Sequence, residues 1–148
     1  MSSTTQASRP IAIRTPLGPD ALLLTALSGR EAVSELFRFE LRLLAERGTP
    51  VPFEKVLGQS ATVEIELPGG GTRYLNGIVS VLEQGRRDEH FNHFRAELVP
   101  RLWLLTRKVR SRVFQHLSVP QILGQVLAGL LVKIEVSAAY EPRDYCVQ

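Results

Sequence analysis

Apolar and polar positions alternate with a period of two in several stretches of this chain, which is typical of strands with one buried face. The clearest stretch is 36–44, LFRFELRLL, where alternate aromatic and leucine side chains would face inward and charged ones outward. The segments 61–67, 74–83 and 94–98 repeat the pattern, and the apolar segment 21–27 is a further candidate core strand. The pattern therefore predicts a set of antiparallel strands.

The links between these segments are short and rich in turn-forming residues. The sequence PGGG at 68–71 predicts a tight turn, and 85–89 is predicted to be a charged loop. Gly77 lies inside a predicted strand and indicates a bulge or bend, as at a barrel corner. Apolar residues at helical spacing in 53–57, followed by Gly58, predict a single helical turn. The strands are expected to form an antiparallel meander that closes toward a barrel.

The period changes to that of a helix over 118–131, where apolar residues recur three and four positions apart. Ser118 and Gln121 form a capping-box pattern, and Pro120 lies in the first turn, where proline is tolerated. The segment 132–136 alternates again and is predicted to be a strand. The predicted fold class is therefore mainly β with one or two short helices.

These elements divide the chain into three parts. Residues 1–20 are polar, contain three prolines and are interpreted as a flexible lead that contributes at most one edge strand, at 11–14. Residues 21–115 are predicted to form the barrel-like unit. Residues 116–148 hold the helix and strand that begin a second unit.

The composition argues against a membrane span, a signal peptide and cysteine-based sites. The chain has 148 residues, of which 44% are hydrophobic and 22% charged, as in ordinary soluble globular proteins. Its apolar stretches are far shorter than the ~20 residues that span a bilayer. Residues 1–10 lack the apolar core of a signal peptide. The single cysteine, Cys146, excludes an internal disulfide and a multi-cysteine zinc site.

The sequence holds no recognisable catalytic or metal-binding constellation. His90 and His93 would lie on opposite faces of a strand, and His116 stands alone in a turn. Glu64 and Glu66 share a face, but it is the polar face of an amphipathic strand, where carboxylates are expected for solubility. A phosphate-binding loop and a nucleophile elbow are both missing. We therefore expect no enzyme activity, no cofactor, no metal and no small-molecule substrate.

The charge is concentrated in one basic run. The net charge is +3 and the isoelectric point about 9.4, and twelve residues contain Arg101, Arg107, Lys108, Arg110 and Arg112 without any acid. Cations interleaved with aromatic residues on a small barrel can bind single-stranded nucleic acid. Because LWLL at 102–105 is interpreted as buried packing, a solvated face or a charged subunit contact is the favoured interpretation, and nucleic-acid binding is the alternative.

Several short motifs resemble those of VgrG-like proteins, in the same order. The most specific is AELVPRLWLLT at 96–106, which resembles the signature L-x-P-x-L-W-L-L. Further matches are LF-x-F-x-L at 36–41, the end of LLG at 57–58, G-x-R-x-F-x-G-x-V at 71–79, I-F-Q-x-x-S-V-x-D-I at 113–122 and Y-P-x-R-E-Y-C-V-Q at 140–148. Gln121 stands where the family often has Asp. The order and spacing together make the resemblance specific.

This resemblance implies a mechanical role. VgrG-like proteins resemble the hub and spike of contractile phage tails. Their N-terminal barrel-like units form a homotrimer on the hexameric Hcp tube, with baseplate and effector or adaptor proteins as further partners. The resemblance thus implies the N-terminal hub part of a type VI secretion spike, assembled in the cytoplasm and then secreted without a signal peptide. A contractile phage or prophage tail hub is the alternative.

The resemblance also implies roles for particular residues. The family-signature residues expected in the core are Phe37, Phe39, Gly58, Gly77, Leu98, Pro100, Leu102, Trp103, Leu104, Phe114 and Tyr145. The candidates for a subunit interface are Arg107, Lys108, Arg110 and Arg112, together with the glycine turn at 68–71. Because the family sequence continues beyond residue 148, we expect a fragment whose second hub unit is incomplete at its C-terminus.

Overall fold

The computed structural model describes residues 4–148. The strands are β1 Ile11–Arg14, β2 Leu23–Arg30, β3 Arg38–Glu46, β4 Ser60–Glu66, β5 Thr72–Arg87, β6 Phe91–Val99, β7 Val113–Leu117 and β8 Arg143–Val147. The helices are α1 Val119–Val126 and the 3₁₀-helices Phe53–Lys55 and Arg101–Arg107. The predicted fold class, mainly β with short helices, is therefore confirmed. The chain divides into two compact units, the first ending at Pro100 and the second spanning Arg101–Gln148.

The first unit is built on a six-stranded antiparallel sheet with the strand order β1-β4-β5-β6-β3-β2. The register brings apolar residues together, with Leu41 opposite Ala96 and Val63 opposite Leu75. The inward-facing side chains pack into one hydrophobic cluster. Its largest fully buried members include Leu22, Leu24, Leu41, Leu43, Val63 and Leu98. The period-two alternation thus identified the buried face of these strands correctly.

The sheet curls so that its two outer strands, β1 and β2, approach each other, and Gln6 closes the seam between them. Gln6 is the one buried polar side chain among the described residues. Its Oε1 accepts hydrogen bonds from the backbone N–H of Ile13, at 3.0 Å, and of Leu24, at 2.9 Å. Its Nε2 donates to the carbonyl oxygen of Ile13 at 3.2 Å. One side-chain amide therefore replaces bonds that a neighbouring strand would make.

The interpretation of residues 1–20 as a flexible lead is corrected for the residues described. β1 pairs with β4, with Ile11 opposite Ile65, so the predicted edge strand at 11–14 is present. Asp20 Oδ1 accepts a hydrogen bond from the backbone N–H of Gln6 at 2.9 Å. The segment is held because its polar groups satisfy backbone groups of the sheet. Residues 1–3 of the predicted lead lie outside the described residues.

Acid should weaken the attachment of this segment. The hydrogen bond from the Gln6 backbone, helped by the Thr5 side chain, lowers the pKa of Asp20 below its ordinary value of 3.8. A carboxyl group with a lowered folded-state pKa stabilises the fold above its unfolded pKa, and that contribution is lost as pH falls through the folded pKa. We expect Asp20→Asn, which tolerates the observed φ of 58°, to reduce the acid loss of stability.

The measurement is a urea titration at several pH values between about 4 and about 2. The free energy of unfolding should fall less steeply with acid in Asp20→Asn than in the native protein. Some loss remains, because Glu46 also has a lowered pKa, through its hydrogen bond from the Thr4 backbone. Parallel pH profiles for the two proteins would contradict a role for the Asp20 carboxylate.

Gly77 lies where β5 packs tightly against β6. A Cβ atom at position 77 would stand 2.5 Å from the carbonyl oxygen of Val99 and 2.9 Å from Cγ of Leu98. The register between β5 and β6 then shifts between Val79 and Val81, which marks a bulge. The bend predicted at Gly77 is therefore a close approach of two backbones followed two residues later by the bulge.

Gly77→Ala should destabilise the first unit by about 1–3 kcal/mol, because the added methyl group must displace a backbone oxygen. Gly85→Ala in the same strand is the matched control, since its Cβ would meet nothing closer than 3.6 Å. Urea denaturation of both variants measures the difference. Equal stabilities would mean that the strands can separate at position 77 without cost.

β5 is longer than predicted. It runs from Thr72 to Arg87, and Arg87 lies opposite Asn92 of β6. The predicted loop at 85–89 is corrected, because cross-strand pairing continues almost to the turn. Asp88 closes that turn by accepting hydrogen bonds from the backbone N–H groups of His90 and Phe91 at 3.0 and 2.8 Å.

The second unit pairs β7 with β8 in an antiparallel ribbon and places α1 beside β7. Phe114 is buried and lies opposite Cys146. The backbone N–H of Ser118 donates to Oε1 of Gln121 at 2.8 Å, as the capping pattern predicts. The helix ends at Val126, earlier than expected. None of the helices among residues 4–148 has the length and apolar character needed to cross a membrane.

Two predictions for this part of the chain are corrected. In the part that the structure describes, 132–136 belongs to no helix or strand. Alternation alone does not produce a strand, because the backbone groups also need a partner, and β7 takes β8 as its partner. The boundary predicted near residue 115 lies at Pro100, since β7 pairs outside the six-stranded sheet.

Candidate functional site

Several charged side chains on the surface of the first unit form ion pairs, and Arg95 lies at the centre of one group. Arg95 Nε lies 3.1 Å from Oε1 of Glu40, and its Nη1 lies 3.2 Å from Oε2 of Glu83. The hydrogen bond from Arg95 lowers the pKa of Glu40, and the hydrogen bonds to Glu40 and Glu83 raise the pKa of Arg95. A carboxylate held ionised by an arginine is a poor proton donor near neutral pH. This network therefore suits a surface better than a catalytic site.

The histidine and glutamate candidates of the sequence are either paired with other residues or exposed. Glu64 Oε1 lies 2.5 Å from Nε of Arg14, and Glu66 is exposed. His93 Nε2 lies 2.6 Å from Oδ2 of Asp88, and this hydrogen bond, with the two from the backbone, lowers the pKa of Asp88. Among residues 4–148, no group of three or more His, Cys, Asp or Glu side chains could hold a metal ion.

The basic run of the sequence lines a groove in the second unit. The cations Arg107, Lys108, Arg110 and Arg112 lie along it. The apolar side chains of Leu104, Val126 and Leu130 are also part of its lining. Its volume is about 350 Å³, which is enough for a few side chains of a bound partner. We refer to the groove lined by these seven residues as the basic groove.

Local hydrogen bonds position the cations. The 3₁₀-helix closes with a bond from Thr106 Oγ1 to the carbonyl oxygen of Trp103 at 2.7 Å. The guanidinium of Arg107 lies 5.5 Å from the centroid of the Trp103 ring, a cation–π contact. Arg112 Nη1 donates to the carbonyl oxygen of Gln125, near the end of α1, at 3.3 Å. These contacts hold the first and the last of the four groove cations.

The family-signature residues divide between the core and the surface. Those that are buried or pack against a buried cluster are Phe37, Phe39, Leu98 and Phe114. Pro100 directly follows β6 and so ends it, whereas Gly58 lies in the turn between the first 3₁₀-helix and β4, with a φ of 75°. The expectation of core packing is corrected for three residues that are exposed, namely Leu102, Leu104 and Tyr145. The helix Arg101–Arg107 buries none of its residues, and every residue of β8 except Cys146 is exposed.

Trp103 is also corrected, from a buried core residue to a half-buried one covered by Arg107. Full burial would make Trp103→Ala cost about 3–5 kcal/mol. We instead expect this variant to lower the melting temperature far less than a truncation in the core of the first unit. A thermal melt checks this, and a loss as large as that of a core leucine would contradict the surface position.

The second interface candidate, the turn at 68–71, is the exposed tip of the β4–β5 hairpin. Gly70 and Gly71 have φ values of 85° and 90°. The backbone N–H of Gly70 donates to the carbonyl oxygen of Leu67 at 2.9 Å. The tip is tight and solvent-facing, and its role in a subunit contact stays a prediction.

The first unit, a curled antiparallel sheet, is of the barrel-like β class. The family model of the phage tail baseplate hub (GPD) matches residues 30–148. The chain belongs to this family.

Curated relatives of this chain include spike proteins of type VI secretion systems. VgrG1a of Pseudomonas aeruginosa is 39% identical over 97% of this chain and 23% of its own length. VgrG1c of the same organism is 38% identical over 97% of this chain and 20% of its own length. VgrG3 of Vibrio cholerae is 26% identical over 89% of this chain and 14% of its own length. The chain therefore spans at most about a quarter of the length of these relatives.

Solved structures show the same fold. One is a type VI secretion component of E. coli, described as structurally similar to the T4 bacteriophage tail proteins gp27 and gp5. It has a TM-score of 0.69 and 24% identity, and the match covers 93% of this chain and 38% of the E. coli chain. A 43 kDa tail protein of prophage MuSo2 from Shewanella oneidensis has a TM-score of 0.57 and 18% identity. The match covers 92% of this chain and 44% of the tail protein. The barrel-like, tail-hub architecture is thus confirmed.

Proposed function

We propose that this chain is the N-terminal hub part of a type VI secretion spike, a structural protein without enzyme activity. The observation that carries the proposal is the hub-family match over residues 30–148, on a chain whose similarity to named spike proteins covers 97% of its length. The ion pairs of Arg95 with Glu40 and Glu83 on the sheet surface are compatible with a scaffold.

In this role the chain trimerises and docks on an Hcp-like hexameric tube, with baseplate and effector or adaptor proteins as further partners. The protein is assembled in the cytoplasm and leaves the cell through the machine. The basic groove and the turn at 68–71 are the candidate contacts, because both are exposed and structurally defined.

A hub of a contractile phage or prophage tail is the second candidate. The likeness to the prophage tail protein and the name of the matching family favour it. The two candidates differ in the tube protein that they bind. Pull-down of an Hcp-type tube protein supports the secretion spike, whereas pull-down of a phage tail tube protein alone supports the phage hub.

Multi-angle light scattering tests the trimer. The chain has a mass of 16.5 kDa, and the proposal predicts a species of three times that mass. A species that stays at the monomer mass over a wide concentration range would contradict trimerisation through this part of the protein.

A further inference from the structure

The positive charge of the chain is concentrated around the basic groove. Residues 101–134 contain six Lys or Arg residues and no Asp or Glu, whereas residues 1–100 contain eleven basic and twelve acidic residues. A composition this one-sided over one segment produces a local positive potential that attracts anions. The rest of the chain does not share this property.

The cations of the groove differ in their partners from most arginines of the sheet strands. On the sheet, Arg14 and Arg95 are paired with glutamates. In the described part of the chain, none of the four groove cations forms an ion pair with an acidic side chain. Three of them, Arg107, Lys108 and Arg110, are exposed within four consecutive positions. A bound anion would relieve their mutual repulsion.

The groove also offers apolar contacts. Leu104, which lines the groove, is 37% exposed. Val126 and Leu130 are also part of the lining. A small inorganic anion would leave these side chains uncovered. A ligand with both carboxylates and apolar side chains would use the charge and bury the apolar surface together.

We propose that the basic groove binds an acidic protein segment in which carboxylates alternate with apolar side chains. Single-stranded nucleic acid fits the groove less well, because base stacking requires an open aromatic face. The lining described here is aliphatic and basic, and Arg107 lies over the ring of Trp103. This proposal does not depend on the proposed hub function.

The test uses fluorescence anisotropy with the full chain and three labelled probes. The probes are a heptapeptide of alternating Glu and Leu, the same peptide with Ser in place of Leu, and a twenty-nucleotide poly-dT strand. The groove variant carries Arg107→Ser, Lys108→Ser and Arg110→Ser. The matched control carries Arg47→Ser, Lys55→Ser and Arg86→Ser, which removes the same charge from exposed positions of the first unit. Arg112 is kept because it contacts α1.

The Glu-Leu peptide should bind, and its Kd should rise about tenfold or more in the groove variant but less than about threefold in the control. Leu104→Ser, or the Glu-Ser peptide, should also weaken binding. Circular dichroism melts of each variant show whether it is folded. The proposal is overturned if the Glu-Leu peptide does not bind, if both triple variants weaken it equally, or if poly-dT binds more tightly than the peptide. Equal binding of the Glu-Leu and Glu-Ser peptides would overturn the claim that apolar side chains of the ligand contribute to binding.

Discussion

Replacing Gln6 with alanine should lower the free energy of unfolding by about 2–4 kcal/mol, because the change leaves three backbone groups at the barrel seam without partners. These groups are the N–H and C=O of Ile13 and the N–H of Leu24. Gln6 is only 6% exposed, so water reaches the site poorly. Urea denaturation followed by fluorescence or circular dichroism measures the loss.

Two further variants distinguish the effect of the Gln6 amide group on stability from the effect of its side-chain volume. Gln59→Ala, at an exposed position of the first unit, is the matched control and should change stability little. Gln6→Leu keeps most of the volume but offers no donor or acceptor, so it should be at least as destabilising as Gln6→Ala. If Gln6→Leu were as stable as the native protein, the seam would be held by packing alone.

Leu41→Ala should cost about 2–5 kcal/mol, since it opens a cavity in the middle of the hydrophobic cluster. Leu41 lies in β3, between Leu27 of β2 and Ala96 of β6, and is fully buried. Domains are stable by only about 5–15 kcal/mol. The variant should therefore be close to unfolding at 37 °C.

Leu67→Ala is the control, because it makes the same substitution at an exposed position. Leu67 is 45% exposed, so its truncation should cost well under 1 kcal/mol. A thermal melt of both variants in one buffer gives the comparison. Similar losses for the two leucines would show that the core is not centred on β3 and β6.

The strands of the first unit could be predicted because each has one buried face. In β3, Phe39, Leu41 and Leu43 are buried, and the charged residues between them are not. A period-two pattern of this kind is written in consecutive residues and requires no knowledge of the partner strand. The turn at 68–71 and the capping residues of α1 were also predictable, because their signals lie in residues close together in the sequence.

Features that depend on distant residues could not be predicted. The role of Gln6 requires that β1 and β2 meet, which is a property of the whole curled sheet. The segment 132–136 has the alternation of a strand, but β7 pairs with β8 in its place. Local pattern sets the propensity, and pairing decides which segments become strands.

The candidate contact surface was predicted in part. The basic run was identified as a possible interface from its composition, and its exposed cations fit that interpretation. The burial of LWLL at 102–105 was not realised, because the 3₁₀-helix turns Leu102 and Leu104 outward. An apolar motif shows that a residue prefers burial, but it does not show against which surface.

Light scattering of this chain mixed with an Hcp-type tube protein tests the hub assignment most directly. We expect a complex heavier than the tube hexamer, containing both proteins in a fixed ratio. Two separate species at the masses of the free components, at concentrations well above micromolar, would contradict the proposal that this part of the protein docks on the tube.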